Sequence, residues 1–178
     1  SQYYNEASSN YYLKLPSTLN IKYGLYCNSW FSGSTSIVAI EITSLNDTIG
    51  RTFFNAMVTG CSSLKHFWMH GSSSQIVAGM YMDNWFGGAG ALETVRLNGG
   101  FNYSASIDRM YYPFIDCGSL KYVDLSAVSV NGNSAAVSGQ YGGYMHRFWE
   151  KSSFVCSGRD DDIYAPVDGE VIIGSGWK

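Results

Sequence analysis

Four segments of the chain repeat one pattern: IVAIEI (37–42), LKHFWM (64–69), LETVRL (92–97) and LKYVDL (120–125). Each is a large apolar residue, two variable positions, a second apolar residue, one variable position and a third apolar residue. Their starts lie 27, 28 and 28 residues apart, a fixed period of the kind that marks a solenoid of stacked coils. The echo continues upstream in the same register. Phe31, Val58, Phe86 and Phe114 share one offset before the motif, Trp30, Met57, Trp85 and Pro113 the next, and Cys27, Phe54, Met82 and Met110 another. Ser34, Cys61, Ala89 and Cys117, all small, stand closer to the motif. Gly33, Gly60 and Gly88 share a position in the linking stretch, and Gly118 falls two positions late.

One unit reads as a short strand followed by a return. Val95, Arg96 and Leu97 alternate in, out and in, which suits a strand. Gly/Ser/Asn-rich turns follow at 98–100 and 70–74. Apolar side chains then recur at roughly helical spacing (Phe53, Phe54, Met57 and Val58; Met82, Trp85 and Phe86), which predicts a short helical or 3₁₀ segment on the convex side. No unit can bury its own apolar face, so neighbours must stack into one core with like strands paired in parallel. The fold class expected is an α/β repeat solenoid over 1–178 as a single domain. Its strands are short and parallel, one in each repeat.

Leu13 and Leu15 precede Ile40 and Ile42 by one period, so Tyr12–Leu13–Lys14–Leu15 is the expected first strand. The C-terminal side breaks register, because the next candidate start after Leu120 is Ile163, 43 residues on. The surplus fits an insertion at about 129–144, rich in Ser, Gly and Tyr. Ile163–Tyr164–Ala165–Pro166 then reads as the next strand, and 167–178 as a capping hairpin or a linker.

Charged residues make up only 14% of the chain, against about a quarter in ordinary soluble domains, and Ser, Gly, Asn and 14 Tyr stand in their place. That balance favours an extracellular, cell-surface or virion setting. A net charge of −3 with no Lys/Arg cluster argues against nucleic acid as a partner. No run of about 18 apolar residues exists to predict a membrane span. The N-terminal SQYYNEA lacks the basic start and apolar run of a signal peptide, so if the protein is exported the chain is expected to be a mature chain or an excised fragment. Cys61 and Cys117 share a repeat position two coils apart, about 10 Å, beyond the roughly 7 Å reach of a disulfide. Cys117 and Cys156 could lie in adjacent coils and pair; buried reduced thiols are the plainer expectation.

The apolar-x-x-apolar-x-apolar motif, with a preceding aromatic and GCSSL (60–64) or DCGSL (116–120), resembles leucine-rich repeats. More narrowly it is similar to the BspA-like (Treponema-type) class, over about residues 10–166. The repeats are longer than is usual there, and Leu45, Ser72, Gly100 and Val128 stand where ordinary leucine-rich repeats carry Asn or Cys. The resemblance implies a cell-surface or secreted binding module of bacteria, protists or their viruses, often acting in adhesion.

Outward strand positions form an exposed ladder. One row reads Lys14, Glu41, Trp68, Arg96 and Asp124, and the row before it Tyr12, Ala39, His66, Thr94 and Tyr122. The row after it holds Pro16, Thr43, His70, Asn98 and Ser126. Charge pairs across strands, Lys14 with Glu41 and Arg96 with Asp124, suit sheet stabilisation. An outward Trp68 between His66 and His70 suits binding, because aromatic residues dominate contact hot spots. Tyr141 and Tyr144, in the glycine-flanked insertion, add adaptable contacts.

The candidate ligand-binding residues are therefore Trp68, His66, His70, Arg96, Tyr122, Asp124, Tyr141 and Tyr144. His66 and His70 on one strand lie about 13 Å apart, too far to share a metal ion. The Asp160–Asp161–Asp162 run lacks calcium-loop spacing. None of the G-x-S-x-G, H-E-x-x-H or Walker patterns is present, so catalysis, cofactors and metals are not expected. Two expectations of different class remain. One is a non-catalytic module that recognises protein or glycan on another surface through the strand face. The other is a subunit of a phage fibre or extracellular filament, self-assembling through the solenoid ends.

Overall fold

A computed structural model describes residues 2–5, 10–15, 19–21, 25–26, 29–42, 45–47, 52–53, 55–69, 75–76, 80–81, 83–97, 101–103, 112–126, 128–130 and 170–173. After a first strand β1 (Gln2–Asn5), the chain makes successive passes of similar design. The first pass is β2 (Asn10–Lys14), β3 (Leu19–Ile21) and β4 (Leu25–Tyr26). The second is β5 (Ile37–Ile42), β6 (Leu45–Asp47) and β7 (Thr52–Phe53). The third is β8 (His66–Met69), β9 (Gln75–Ile76) and β10 (Met80–Tyr81). Then follow β11 (Thr94–Leu97) with β12 (Phe101–Tyr103), β13 (Tyr122–Leu125) with β14 (Val128–Val130), and β15 (Glu170–Ile173).

Each step of a pass joins a different sheet. The main sheet runs β1-β2-β5-β8-β11-β13-β15, the second β14-β12-β9-β6-β3 and the third β10-β7-β4. All pairings are parallel except that of β1 with β2, which caps the first strand as a hairpin. Six parallel strands therefore lie side by side in chain order, the arrangement a repeat solenoid requires. Ala39, His66, Thr94 and Tyr122 pair in succession, as do Glu41, Trp68, Arg96 and Asp124.

The apolar positions of the motif face one way. Ile40, Phe67, Val95 and Val123 form one buried column, Ile42, Met69, Leu97 and Leu125 a second, and Leu64, Leu92 and Leu120 a third. The opposite wall is a stack of turns. Met57 and Val58, then Trp85 and Phe86, then Phe114 are buried there against the strands. Phe67 meets Trp85 and Phe86 edge-on at 5.5 and 5.1 Å, and Phe86 lies parallel to Phe114 at 5.1 Å.

Those turns correct one expectation. Among the described residues there is no helix: the return path consists of strands β7 and β10 and the turns at 55–60 and 83–88. Adjacent apolar pairs such as Trp85–Phe86 mimic a helical face, yet here the chain bends around a corner of the core and turns both side chains inward. The turns make their own ladder between coils. Ser29, Phe31 and Gly33 N–H groups donate to Asn55, Met57 and Thr59 carbonyls, and Ala56, Val58 and Gly60 donate to Asp83, Trp85 and Gly87. Phe86 and Gly88 continue it to Pro113 and Ile115. Proline is tolerated at 113 because this register enters the ladder through its carbonyl, leaving the missing N–H without consequence there.

Each turn opens on a left-handed residue (Ser29, Ala56, Asn84, Tyr112) and closes on another (Gly33, Gly60, Gly88, Asp116). Glycine has no Cβ penalty in that conformation, whereas other residues meet a clash of about 1–2 kcal/mol, smaller for Asn and Asp. The fourth coil substitutes Asp116 for glycine, which explains why Gly118 fell out of register.

The second sheet and the C-terminal region also differ from the spacing argument. Shortly after two of the main-sheet strands, Asn46 and Asn102 lie in further strands, β6 and β12. Residues 129–130, assigned to the insertion, belong to β14 and pair with β12. The strand beside β13 is β15, with Val123 opposite Val171 and Leu125 opposite Ile173. It falls within the segment expected to be a hairpin or linker, while Ile163–Pro166 lies outside the described residues. Cys61 and Cys117 are free and buried, donating to the carbonyls of Phe31 (2.9 Å) and Phe86 (3.1 Å). Burial pushes the Cys117 thiol up to about 12 and raises that of Cys61. Cys27 and Cys156 lie outside the described residues.

Candidate functional site

The alternation that buries Phe67 and Met69 turns His66 and Trp68 to the opposite face of the main sheet, where both are half-buried. Their rings stack at 5.4 Å with 24° between planes, and Tyr12 meets Trp68 edge-on at 6.5 Å. The imidazole Nδ1 and the indole Nε1 are both withdrawn from solvent without a hydrogen-bond partner among the described residues. An unsatisfied buried donor or acceptor costs about 1–3 kcal/mol. Nothing in the sheet's own stability calls for that cost, since the core lies on the other side. Burial lowers the His66 pKa, opposed by nearby Glu93 and assisted by Lys65 and Arg96, so the ring is neutral near pH 7.

Ionic groups flank this cluster in pairs. Glu41, only 9% exposed, accepts a hydrogen bond from the Tyr12 hydroxyl and sits 3.5 Å from the Lys14 ammonium. The expected Lys14–Glu41 pair is therefore present. Arg96 and Asp124 are register neighbours, but each engages elsewhere. The Arg96 guanidinium lies over the Tyr122 ring at 5.2 Å, a cation–π contact. Asp124, 8% exposed, accepts from the Ser126 N–H at 2.9 Å and so fixes its own turn. At the strand entry, Lys121 bonds Glu93 at 3.1 Å and holds that exposed carboxyl below its ordinary value.

The face thus brings together His66, Trp68, Arg96 and Tyr122 of the candidate residues, with Asp124 turned in beside them. Tyr12 joins the site although it was not among the candidates; its place in the outward row was the available signal. His70, Tyr141 and Tyr144 lie outside the described residues. No cluster of three or more His, Cys, Asp or Glu side chains that could hold a metal occurs among the described residues. Among the described residues no helix is long and apolar enough to cross a membrane.

A second feature lies on the turn wall and was not legible in the sequence. A shallow groove of about 600 Å³ runs over Gly60, Gly87 and Gly88, edged by Asn84, Tyr112 and Asp116. Gly60 and Gly88 in its floor belong to the left-handed column described above. The Thr59 hydroxyl, which also lines it, is committed to the Asn84 carbonyl at 2.6 Å.

The strand face presents the His66–Trp68 ring stack, the Tyr12 and Tyr122 rings, the Lys14–Glu41 ion pair and the Arg96 guanidinium over Tyr122. Comparison of the chain with protein-family models, with curated proteins and with solved structures returns no match.

Proposed function

We propose that the chain is a non-catalytic binding module that recognises protein or glycan on another surface through the outward face of the main sheet. The observation that carries this reading is the His66–Trp68 stack, half-exposed on a polar face and holding two buried nitrogens that the fold leaves unpaired. Departures from polar satisfaction of this kind concentrate at functional sites. The reading includes a repeat solenoid related in spacing to leucine-rich repeats, with an all-β return in place of helices. It also includes an extracellular, cell-surface or virion setting, supported by the low charge and the Tyr-, Ser- and Gly-rich composition.

A glycan and matrix-protein array comparing the wild type with Trp68→Ala tests it. The expected result is a defined set of ligands lost in the variant while its thermal unfolding stays close to wild type. An identical array profile for both proteins would remove this face from consideration.

A second reading, an assembly subunit of a fibre or filament, is favoured by the outer edge of β15, beyond which no strand is present among the described residues. Parallel strand edges template further pairing. Mass in dilute solution separates the two: ordered polymers favour assembly, a monodisperse monomer the binding module.

A further inference from the structure

One outward row of the main sheet alternates ring, small, ring, small, ring: Tyr12, Ala39, His66, Thr94 and Tyr122, paired in succession on β2, β5, β8, β11 and β13. Neighbouring strands lie about 4.8 Å apart, so the backbone positions that carry rings recur every two strands, about 9.6 Å, along the stacking direction. That spacing discriminates between extended ligands. A peptide strand presents same-side groups every two residues, about 6.7 Å, and drifts out of step within one ring. An extended β-1,4-linked polysaccharide turns alternate sugars to the same side, and its disaccharide repeat is close to two strand spacings.

The row's charge also fits a neutral ligand. Tyr12, Ala39, Thr94 and Tyr122 carry none near pH 7, His66 is neutral there, and in the adjoining row Lys14 is matched by Glu41. Arg96, held over Tyr122, adds guanidinium donors at one end.

Resting on the reading of this face as a binding surface, we propose that its ligand is an extended β-1,4-linked polysaccharide lying across the strands. Alternate sugars sit over Tyr12, over His66 with Trp68, and over Tyr122, and the intervening sugars span Ala39 and Thr94.

The test is affinity electrophoresis of the full chain in hydroxyethylcellulose, glucomannan and soluble amylose, with calorimetry on β-1,4-linked gluco- and chitooligosaccharides of increasing length. Expected are retardation by a β-1,4-linked polymer but not by α-1,4-linked amylose, and affinity that climbs with length until the ligand spans Tyr12 to Tyr122, about 19 Å, then levels off. Tyr122→Ala removes one ring and is expected to weaken binding about tenfold. Thr94→Tyr fills a slot without removing any ring and is expected to do at least as much, so a folding defect in one variant leaves the other informative.

Equal retardation by amylose, or a Thr94→Tyr variant that binds as the wild type does, would overturn the proposal. If no polysaccharide binds but an arrayed protein ligand is captured in a Trp68-dependent way, the glycan proposal fails while the face remains the binding surface. If neither class binds, both readings fail.

Discussion

Gly87, Gly88 and Gly90 stand within four residues of one another, and alanine at each should have a different effect for a different reason. At Gly88, φ is +71° and a Cβ would find its nearest neighbours, backbone atoms of Gly60, at 3.7 Å, so space is not the obstacle. The left-handed conformation costs alanine about 1–2 kcal/mol, and the stiffer unfolded chain returns about 0.4–1. Gly88→Ala should therefore destabilise by about 1 kcal/mol. Gly90 is outside the left-handed region and a Cβ there meets nothing within 4 Å, so Gly90→Ala should stabilise by about 0.4–1 kcal/mol.

At Gly87 a Cβ would lie 1.7 Å from Asn84 Oδ1 and 2.9 Å from an Ile115 methyl. The amide can swing away, but Ile115 must shift, so Gly87→Ala should lose about 1–2 kcal/mol by overpacking. Urea titration reads all three as midpoint shifts at unchanged slope, with 1 kcal/mol worth about 0.5 M. The contrast is refuted if Gly88→Ala and Gly90→Ala move the midpoint in the same direction. Relief of the Gly87→Ala loss by a second change, Asn84→Ala, would identify the amide as the obstacle.

Phe67→Ala should cost about 3–5 kcal/mol, because Phe67 is fully buried against Trp85 and Phe86, whereas Trp68→Ala, one residue away on the outward face, should cost a small fraction of that; urea midpoints check the pair. His66 has a folded pKa below its ordinary 6.5, so the unfolded chain binds the proton more readily and stability falls as pH drops through 6.5 to the folded value. His66→Gln should flatten the pH dependence of thermal unfolding in that window and leave it unchanged above. With its thiol pushed up to about 12, Cys117 should be alkylated at pH 8 roughly a thousandfold more slowly in the native protein than in urea, measured residue by residue by mass spectrometry. A fast native reaction at Cys117 would contradict its burial.

The main sheet was legible because a single period governs it. Ile40, Phe67, Val95 and Val123 pair in the register their spacing dictates, and the outward neighbours His66 and Trp68 follow from alternation. The second sheet was hidden because its offsets vary: Leu19 faces Leu45, Asn46 faces Gln75, and Phe101 faces both Ile76 and Val128. The offsets differ from coil to coil, so no common spacing survives in the sequence. The turns were misread for another reason. Ser29, Ala56, Asn84 and Tyr112 adopt the same left-handed conformation but share no side-chain chemistry that would announce it. Only the glycines that close the turns left a mark, and Asp116 erased even that in the fourth coil. At the C-terminal side, Ile163 and Val171 are equally apolar, and once the period is broken spacing cannot choose between them. Within the candidate site, position could be read but partnership could not. That Arg96 prefers the Tyr122 ring to Asp124 depends on side-chain geometry that a row of letters does not contain.

Because spatial order in the main sheet equals chain order, a load applied along the stack passes through every inter-strand interface in series. The weakest interface sets the breaking force, and each rupture between β2 and β13 frees one pass of 27 or 28 residues, which extends to about 95 Å. Held between two surfaces, such a stack lengthens in discrete steps under tension and shortens again row by row when the pull is released.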